Sequence, residues 1–291
     1  MVKPTEKGVE ERIADALGSQ IKHREPLSGG SVSTVMKAKL ADGRIVVAKI
    51  AGEVADPRGA PGTEASMLQA LAEDGWPVPD VLHVDDHLLL LEFVPNDGQR
   101  NAVTEQQAAT LLAARHAIEK PAFGFTQDTL IAGLPQANLR SADWIPFFAE
   151  HRLLAMARQA QVAQQLSGSA VQRIEILAGR LDRWLLEPEH PSLIHGDLWG
   201  GNVLFHEGRV ASFIDPACYW AHAEVELAFT TLFQTFDEAF YRRYAELRPI
   251  PDGFYEERRD LYNLYPLLVH VRLFGGAYRS SVEATLNRFG V

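Results

Sequence analysis

A single cysteine, Cys218, stands among 291 residues, so no internal disulfide staples this chain. Positive charge is in deficit. Lys and Arg number 28 against 38 Asp and Glu, a formal net charge of −10, and a surface of that sign repels phosphodiester backbones. No nucleic-acid partner is expected. Long apolar runs are missing too: Leu88–Leu91 falls far short of the ~20 residues that cross a bilayer. The opening MVKPTEKGVEE is charged and has no apolar core, so it does not read as a signal peptide. No membrane association is expected, and the location expected is cytoplasmic. Internal repeats, low-complexity tracts and long linkers are also lacking. What is present is an ordinary globular composition, 46% hydrophobic and 23% charged, which excludes disorder of the whole.

The first third reads as mixed α and β. VEERIADALGSQI (9–21) carries Val9, Ile13, Ala16, Leu17 and Ile21 at helical spacing. In 26–50, two β-prone runs flank Ala41-Asp42-Gly43, a hairpin signal because Asp-Gly tolerates positive φ. Residues 51–62 have loop chemistry. A helix follows, with Ala65, Leu68, Leu71 and Ala72 on one face, ended by Gly75 and Pro77, and 78–94 reads as two strands around Asp85-Asp86.

Beyond Pro95-Asn96-Asp97-Gly98 the pattern turns helical. Thr104 and Gln107 predict a capping box opening a helix over 104–120, and further helices are predicted over 141–165, about 169–186, 224–243 and 254 to the end. Between them, 192–217 reads as two strands turning at Glu207-Gly208. The domain reading is therefore an N-lobe over 1–94 and a C-lobe over 95–291.

The chemistry concentrates in His195-Gly196-Asp197-Leu198-Trp199-Gly200-Gly201-Asn202, followed by Ile214-Asp215-Pro216. Asp197 and Asn202 have the D-x-x-x-x-N spacing of a phosphoryl-transfer loop, in which one carboxylate takes or orients the proton of the attacking hydroxyl. An amide oxygen and a second carboxylate, here Asn202 and Asp215, hold Mg²⁺ against a triphosphate. Asp and Asn beside Gly also make ordinary turns, but the whole string on a strand–loop–strand scaffold is specific. Lys49 ends the apolar strand Ile45–Ala48, where a phosphate-binding lysine belongs, although a strand-end lysine also snorkels to water. Glu64 in the next helix is placed to pair with Lys49. Ser28-Gly29-Gly30-Ser31 offers backbone amides to phosphate, and Glu92-Phe93-Val94 reads as a hinge for an adenine ring or as a plain strand end.

With these residues in place, the chain resembles the fructosamine kinase (ketosamine 3-kinase) family, within the aminoglycoside-phosphotransferase and choline-kinase group. The narrower resemblance rests on His-Gly-Asp-Leu-Trp-x-Gly-Asn at 195–202, on Asp215-Pro216-Ala217 with Tyr219-Trp220, and on FGFTQDTLIAGLPQANLRSADWIPFFAEHRL (123–153). It spans essentially the whole chain from about residue 10. The resemblance implies an α+β, bilobal protein-kinase-like fold: an N-lobe of antiparallel sheet plus helix and a mostly helical C-lobe, with ATP and Mg²⁺ as cofactors.

It also implies roles. Asp197 becomes the catalytic base, Asn202 and Asp215 the Mg²⁺ ligands, Lys49 and Glu64 the phosphate-side ion pair, and Glu92, Phe93 and Val94 the hinge. Gly29, Gly30 and Ser31 would cradle phosphate, and His195 would brace the loop. Trp199 would stack on a sugar or serve the core, while Trp220 and His222 would line the same pocket. The implied reaction is transfer of phosphoryl to O3 of a ketoamine, on a small molecule or a glycated protein lysine, in protein deglycation.

The chain departs from the family pattern in places. Ser28 and Ser31 stand where members often have a third glycine and a cysteine, so thiol regulation through that loop is not expected. Ala221-His222-Ala223-Glu224 and Glu226-Leu227-Ala228 replace Gly-His-Arg-Glu and Asp-Leu-Ala. The missing arginine is expected to alter substrate preference, and the Asp-to-Glu change to shift a brace under the catalytic loop. Cys218 is expected to be buried as a small apolar residue. Two alternatives stay open: a kinase of another small alcohol (aminoglycoside, choline or homoserine type), and an ATP-binding pseudokinase serving as an interaction module.

Overall fold

A leucine run that alternates between two cores organises the first part of the chain. In the computed structural model, which describes residues 6–27, 33–51 and 60–291, β5 (Leu88–Glu92) lies inside a five-stranded antiparallel sheet. The other strands are β1 (Ile21–Pro26), β2 (Ser33–Leu40), β3 (Ile45–Ala51) and β4 (Val81–Val84), in the order β1-β2-β3-β5-β4. Successive side chains of a strand point to opposite faces. Leu88 and Leu90 accordingly pack with Val9 and Ile13 of α1 (Glu6–Leu17), and Leu89 and Leu91 pack with Ala65 and Leu68 of α2 (Ala60–Glu73). Both faces of β5 are buried, which is why it reads as a continuous apolar run.

The expected hairpin forms. Asp42 Oδ1 accepts the Arg44 N–H at 3.0 Å, and Gly43 takes φ +94°. The helix predicted over 9–21 stops at Leu17 instead, because Gly18 adopts φ +66° and releases Ile21 into β1. In α2, Ala65, Leu68 and Leu71 are buried as expected, but Ala72 is exposed and Met67 takes its place.

The remaining elements begin with α3 (Ala102–His116), β6 (Thr129–Ile131), β7 (Leu134–Gln136), α4 (Trp144–Phe148), α5 (Ala155–Val162) and α6 (Gly168–Ala178). Then come β8 (Ser192–Ile194), β9 (Val203–His206), β10 (Arg209–Phe213) and β11 (Tyr219–Ala221). Four helices finish the chain: α7 (Glu224–Leu232), α8 (Glu238–Leu247), α9 (Arg259–Phe274) and α10 (Ala277–Arg288).

Several boundaries differ from the sequence reading, each for a local reason. The cap of α3 is Asn101, not Thr104: Asn101 Oδ1 accepts from Val103 and Thr104 N–H, and Thr104 Oγ1 accepts back from Asn101. The helix predicted over 141–165 carries a π-helical turn at Ala149–Leu154, where the fully buried Arg152 sends its guanidinium to the Ala137 and His151 carbonyls. The segment predicted helical over 169–186 leaves the α-helix at Gly179 and continues only as a 3₁₀ turn at Leu181–Arg183. The helix predicted over 224–243 breaks between Leu232 and Glu238, where Gln234 adopts φ +51°. Gly275 and Gly276, at φ +60° and +58°, part α9 from α10. Strands β1, β6, β7 and β11 have no counterpart in the sequence reading.

The chain forms two compact units. One comprises Met1–Arg100, Ala132–Leu134 and Gly201–Pro216; the other comprises Asn101–Ile131, Pro135–Gly200 and Ala217–Val291. The β9–β10 hairpin belongs to the first, where Phe213 N–H donates to the Pro77 carbonyl at 2.8 Å and its ring meets Trp76 edge-on. The second is built on α9, whose Tyr262 packs with Trp144 and Phe148, while Arg258 makes a buried two-pronged bond to Glu224 at 2.7 Å. No helix among the described residues is long and apolar enough to cross a membrane.

Gly124 gives a direct test of this packing. It sits at φ +100°, and a Cβ there would lie 2.7 Å from the carbonyl oxygens of Asn138 and Leu139. Gly124→Ala is expected to cost roughly 2 kcal/mol or more, read as a lower urea midpoint at unchanged m.

Candidate active site

In the first unit, strand alternation decides where Lys49 points. It shares parity with Val47, which packs toward α2, so its side chain leaves the sheet on the α2 face. There its ammonium donates to Glu64 of α2 and to Asp215. Burial opposes the lysine's charge, but the two carboxylates more than offset this and hold Lys49 above the usual lysine range. Burial pushes the Glu64 carboxyl above its ordinary value in spite of the Lys49 charge. Two carboxylates on one ammonium leave a formal negative charge at this point.

Asp215 sits in a left-handed conformation, φ +55°, which a non-glycine residue adopts at a cost of order 1–3 kcal/mol. Its neighbours hold it there. Ile214 N–H donates to the Asn202 carbonyl at 3.0 Å, and the Asn202 side chain reaches back to the Asp215 carbonyl at 3.5 Å. Asn202 itself is buried in a 3₁₀ turn over Gly200–Asn202. Lys49, Glu64, Asp215 and Asn202 are thus brought together within one unit.

In the second unit, β8 and β11 pair antiparallel, Ile194 opposite Tyr219, and the turn that carries Asp197 leaves from the end of β8. His195 is fully buried. Its N–H donates to Glu226 Oε2 at 2.5 Å and that of Gly196 to Glu226 Oε1 at 3.0 Å, so one buried carboxylate grips two successive amides. The longer side chain at 226 therefore still braces this turn. His116 Nε2 lies 3.8 Å from the same carboxylate. Gly196 turns at φ +83°, and a Cβ there would sit 2.2 Å from the Ala217 carbonyl oxygen. Only glycine fits, because the Ala217 N–H also bonds the His195 carbonyl at 2.9 Å. Asp197 follows, half-buried. Gly196 and Ala217 both stand in the motifs that carry the family resemblance, but their contact shows only in the fold.

The other expected positions fall as follows. Trp199 is 45% exposed, so it is not a core tryptophan. Trp220 is buried edge-on to Phe125 at 5.3 Å, with the Arg140 guanidinium over its ring. His222 is enclosed by Trp144 and Tyr262. Glu92 closes β5 opposite Val46, and Phe93 lies beneath the Lys37 ammonium, 4.5 Å from its ring centre. Gly29, Gly30 and Ser31 lie outside the described residues. Cys218 is buried, and burial pushes its thiol up.

Mg²⁺ takes hard oxygen ligands and keeps several waters, binding through one or two protein oxygens plus substrate phosphates. The Asn202 amide and the Asp215 carboxylate, itself one of the two carboxylates on Lys49, fit that demand. Among the described residues there is no group of three His, Cys, Asp or Glu that would hold a metal without such help.

Comparison with known proteins follows the same lines. The fructosamine kinase family model matches residues 5–289. An Arabidopsis thaliana protein named protein-ribulosamine 3-kinase, chloroplastic, is 34% identical over 206 residues, 69% of this chain and 61% of that protein, so the match spans less than two thirds of the relative. The crystal structure of a candidate fructosamine-3-kinase from Thermobifida fusca superposes with TM-score 0.86 at 33% identity, covering 96% of this chain and 97% of that one. An aminoglycoside phosphotransferase solved in a ternary complex with ADP and hygromycin B gives TM-score 0.69 at 15% identity over 97% and 99% of the two chains, a likeness of fold alone.

His222 generates a pH prediction. Burial, then the charges of Arg258 and Arg248, push its imidazole down to about 3, and its Nδ1 accepts the Glu224 N–H at 3.1 Å, which requires the neutral ring. The unfolded histidine titrates near 6.5. The unfolded chain therefore binds the proton first, and stability present above pH 6.5 is lost as pH falls toward 3. His222→Gln is expected to lose less Tm than the native chain between pH 6.5 and 4.5, measured by thermal unfolding at matched ionic strength.

Proposed function

Because the chain belongs to the fructosamine kinase family, we propose that it transfers the γ-phosphoryl group of ATP to O3 of a ketoamine, the adduct of a sugar with an amine such as a lysine side chain. The fold is protein-kinase-like, and the enzyme class that follows is a phosphotransferase with an alcohol acceptor. The observation that carries the reading is the ammonium of Lys49 held between Glu64 and Asp215, with Asn202 beside them. A lysine so held serves the phosphates of a nucleotide, and its charge offsets the negative charge of the transferring group.

Asn202 and Asp215 are the residues that would hold Mg²⁺. When bound, the ion neutralises charge on the phosphate oxygens. Asp197 orients the acceptor hydroxyl and takes its proton as the new O–P bond forms and the bond to the ADP oxygen breaks. Glu226 keeps Asp197 in place through the two amides before it. The exposed indole of Trp199, two residues beyond, is the surface on which we place the sugar. Glu92, Phe93 and Val94 serve as the adenine hinge, and Gly29, Gly30 and Ser31 as the phosphate loop.

The test is phosphoryl transfer. With Mg·ATP and a panel of ribulose-lysine, fructose-lysine, kanamycin and choline, mass spectrometry is expected to find phosphate on the ketoamines, lost in Asp197→Asn by a factor of 10³ or more. Phosphate on kanamycin or choline alone would overturn the substrate and keep the chemistry. ATP binding without transfer to any acceptor would favour the pseudokinase reading.

A further inference from the structure

The segment between α3 and α4 contains a buried polar network that the proposed chemistry leaves unused. At its centre is Gln136 on β7, 1% exposed. Its Nε2 donates to the Ala217 carbonyl at 3.0 Å and to Thr129 Oγ1 at 2.8 Å, and its Oε1 accepts from Tyr265 Oη at 2.7 Å. The amide orientation is fixed, because a Tyr hydroxyl facing Oε1 and a carbonyl facing Nε2 satisfy donors and acceptors one way round. Around it, Asn138, also buried, donates to Thr129 Oγ1 at 2.7 Å and accepts from Arg152 Nη2 at 2.6 Å. Gln136 therefore has three buried partners and no freedom to choose others.

One of those partners matters to the site. The Ala217 backbone, with its N–H and its carbonyl in successive peptides, is the block against which the turn before Asp197 is folded. Its N–H bonds the His195 carbonyl, and its oxygen sits where a side chain on Gly196 would have to be. Glu226 fixes that turn from one side through its amides. The Ala217 backbone lies against the same turn, and Gln136 holds its oxygen.

The geometry points to Gln136 as a positioning residue for the reaction: by fixing the Ala217 carbonyl it sets the conformation of His195-Gly196-Asp197. This rests on Asp197 acting as the base. Gln136 is 1% exposed, so it acts through the carbonyl it holds. Its loss frees a carbonyl packed against Gly196 and lets the turn drift, so the effect belongs in kcat and not in nucleotide binding.

The experiment compares Gln136→Leu, which keeps the bulk and removes the donor, with Tyr265→Phe, which keeps Gln136 and removes the hydroxyl that orients it. Tyr241→Phe, which loses its hydrogen bond to Thr230, is the stability control. On whichever acceptor the native protein phosphorylates, Gln136→Leu is expected to lower kcat at least tenfold with KM for ATP within twofold. Tyr265→Phe is expected to fall between Gln136→Leu and native, and Tyr241→Phe to keep native kcat at a comparable loss of Tm. Hydrogen exchange of the peptide spanning 193–198 is expected to quicken in Gln136→Leu and not in Tyr241→Phe. Native kcat in Gln136→Leu, or a kcat loss matched by Tyr241→Phe, would overturn the inference while leaving Asp197 untouched. If the native protein phosphorylates nothing, the kinase reading fails, and the exchange comparison alone decides: unchanged protection in Gln136→Leu overturns the positioning role.

Discussion

An ammonium largely removed from water has to be paired, and the polar cluster of the first unit follows from that requirement at Lys49. Leaving such a charge without its partner costs about 3–5 kcal/mol. The sheet puts Lys49 on the α2 face, α2 brings Glu64 to it, and the strained Asp215 supplies the second carboxylate. Apolar alternation on β5 makes this possible, because it packs α1 and α2 on opposite faces and leaves the α2 side for a polar cluster at the end of β3. Fold and chemistry meet in one side chain, whose ammonium is shared by two carboxylates.

The second unit solves a different problem with backbone groups. A turn tight enough to present Asp197 needs a glycine, and a glycine turn is floppy unless its peptide groups are bound. Glu226 takes two amides, the Ala217 peptide takes the His195 carbonyl, and the close approach at Gly196 excludes any other residue. The Asp-to-Glu difference at 226 leaves this arrangement standing, because both oxygens of the longer side chain find an amide.

Much of this was legible in the sequence, for identifiable reasons. Strands β2 to β5 of the first sheet showed through β-prone runs and the Asp-Gly turn, whereas β1 did not, and the string 195–202 showed through spacing that ordinary turns do not repeat. Helix ends were less legible. The start of α3 depended on whether Asn101 or Thr104 took the cap, and both are good caps. The breaks at Gln234 and at the π-helical turn near Arg152 come from tertiary contacts, which no local pattern carries. The Gln136 network was equally hidden: Pro135-Gln136-Ala137-Asn138 marks the family resemblance, but only the fold shows that Gln136 reaches a carbonyl 81 residues away. Trp199 could be weighed as core or surface from sequence, and its exposure needed the structure to decide.

We propose that Asp215, held by Lys49 and Asn202, receives the metal that accompanies a nucleotide. Calorimetric titration of ATP, with and without Mg²⁺, tests it most directly on the native protein and on Asp215→Asn, with circular dichroism confirming the fold of both. Mg²⁺ is expected to tighten Kd at least tenfold for the native protein and to leave Asp215→Asn nearly unchanged. A variant that keeps the full Mg²⁺ dependence would contradict it.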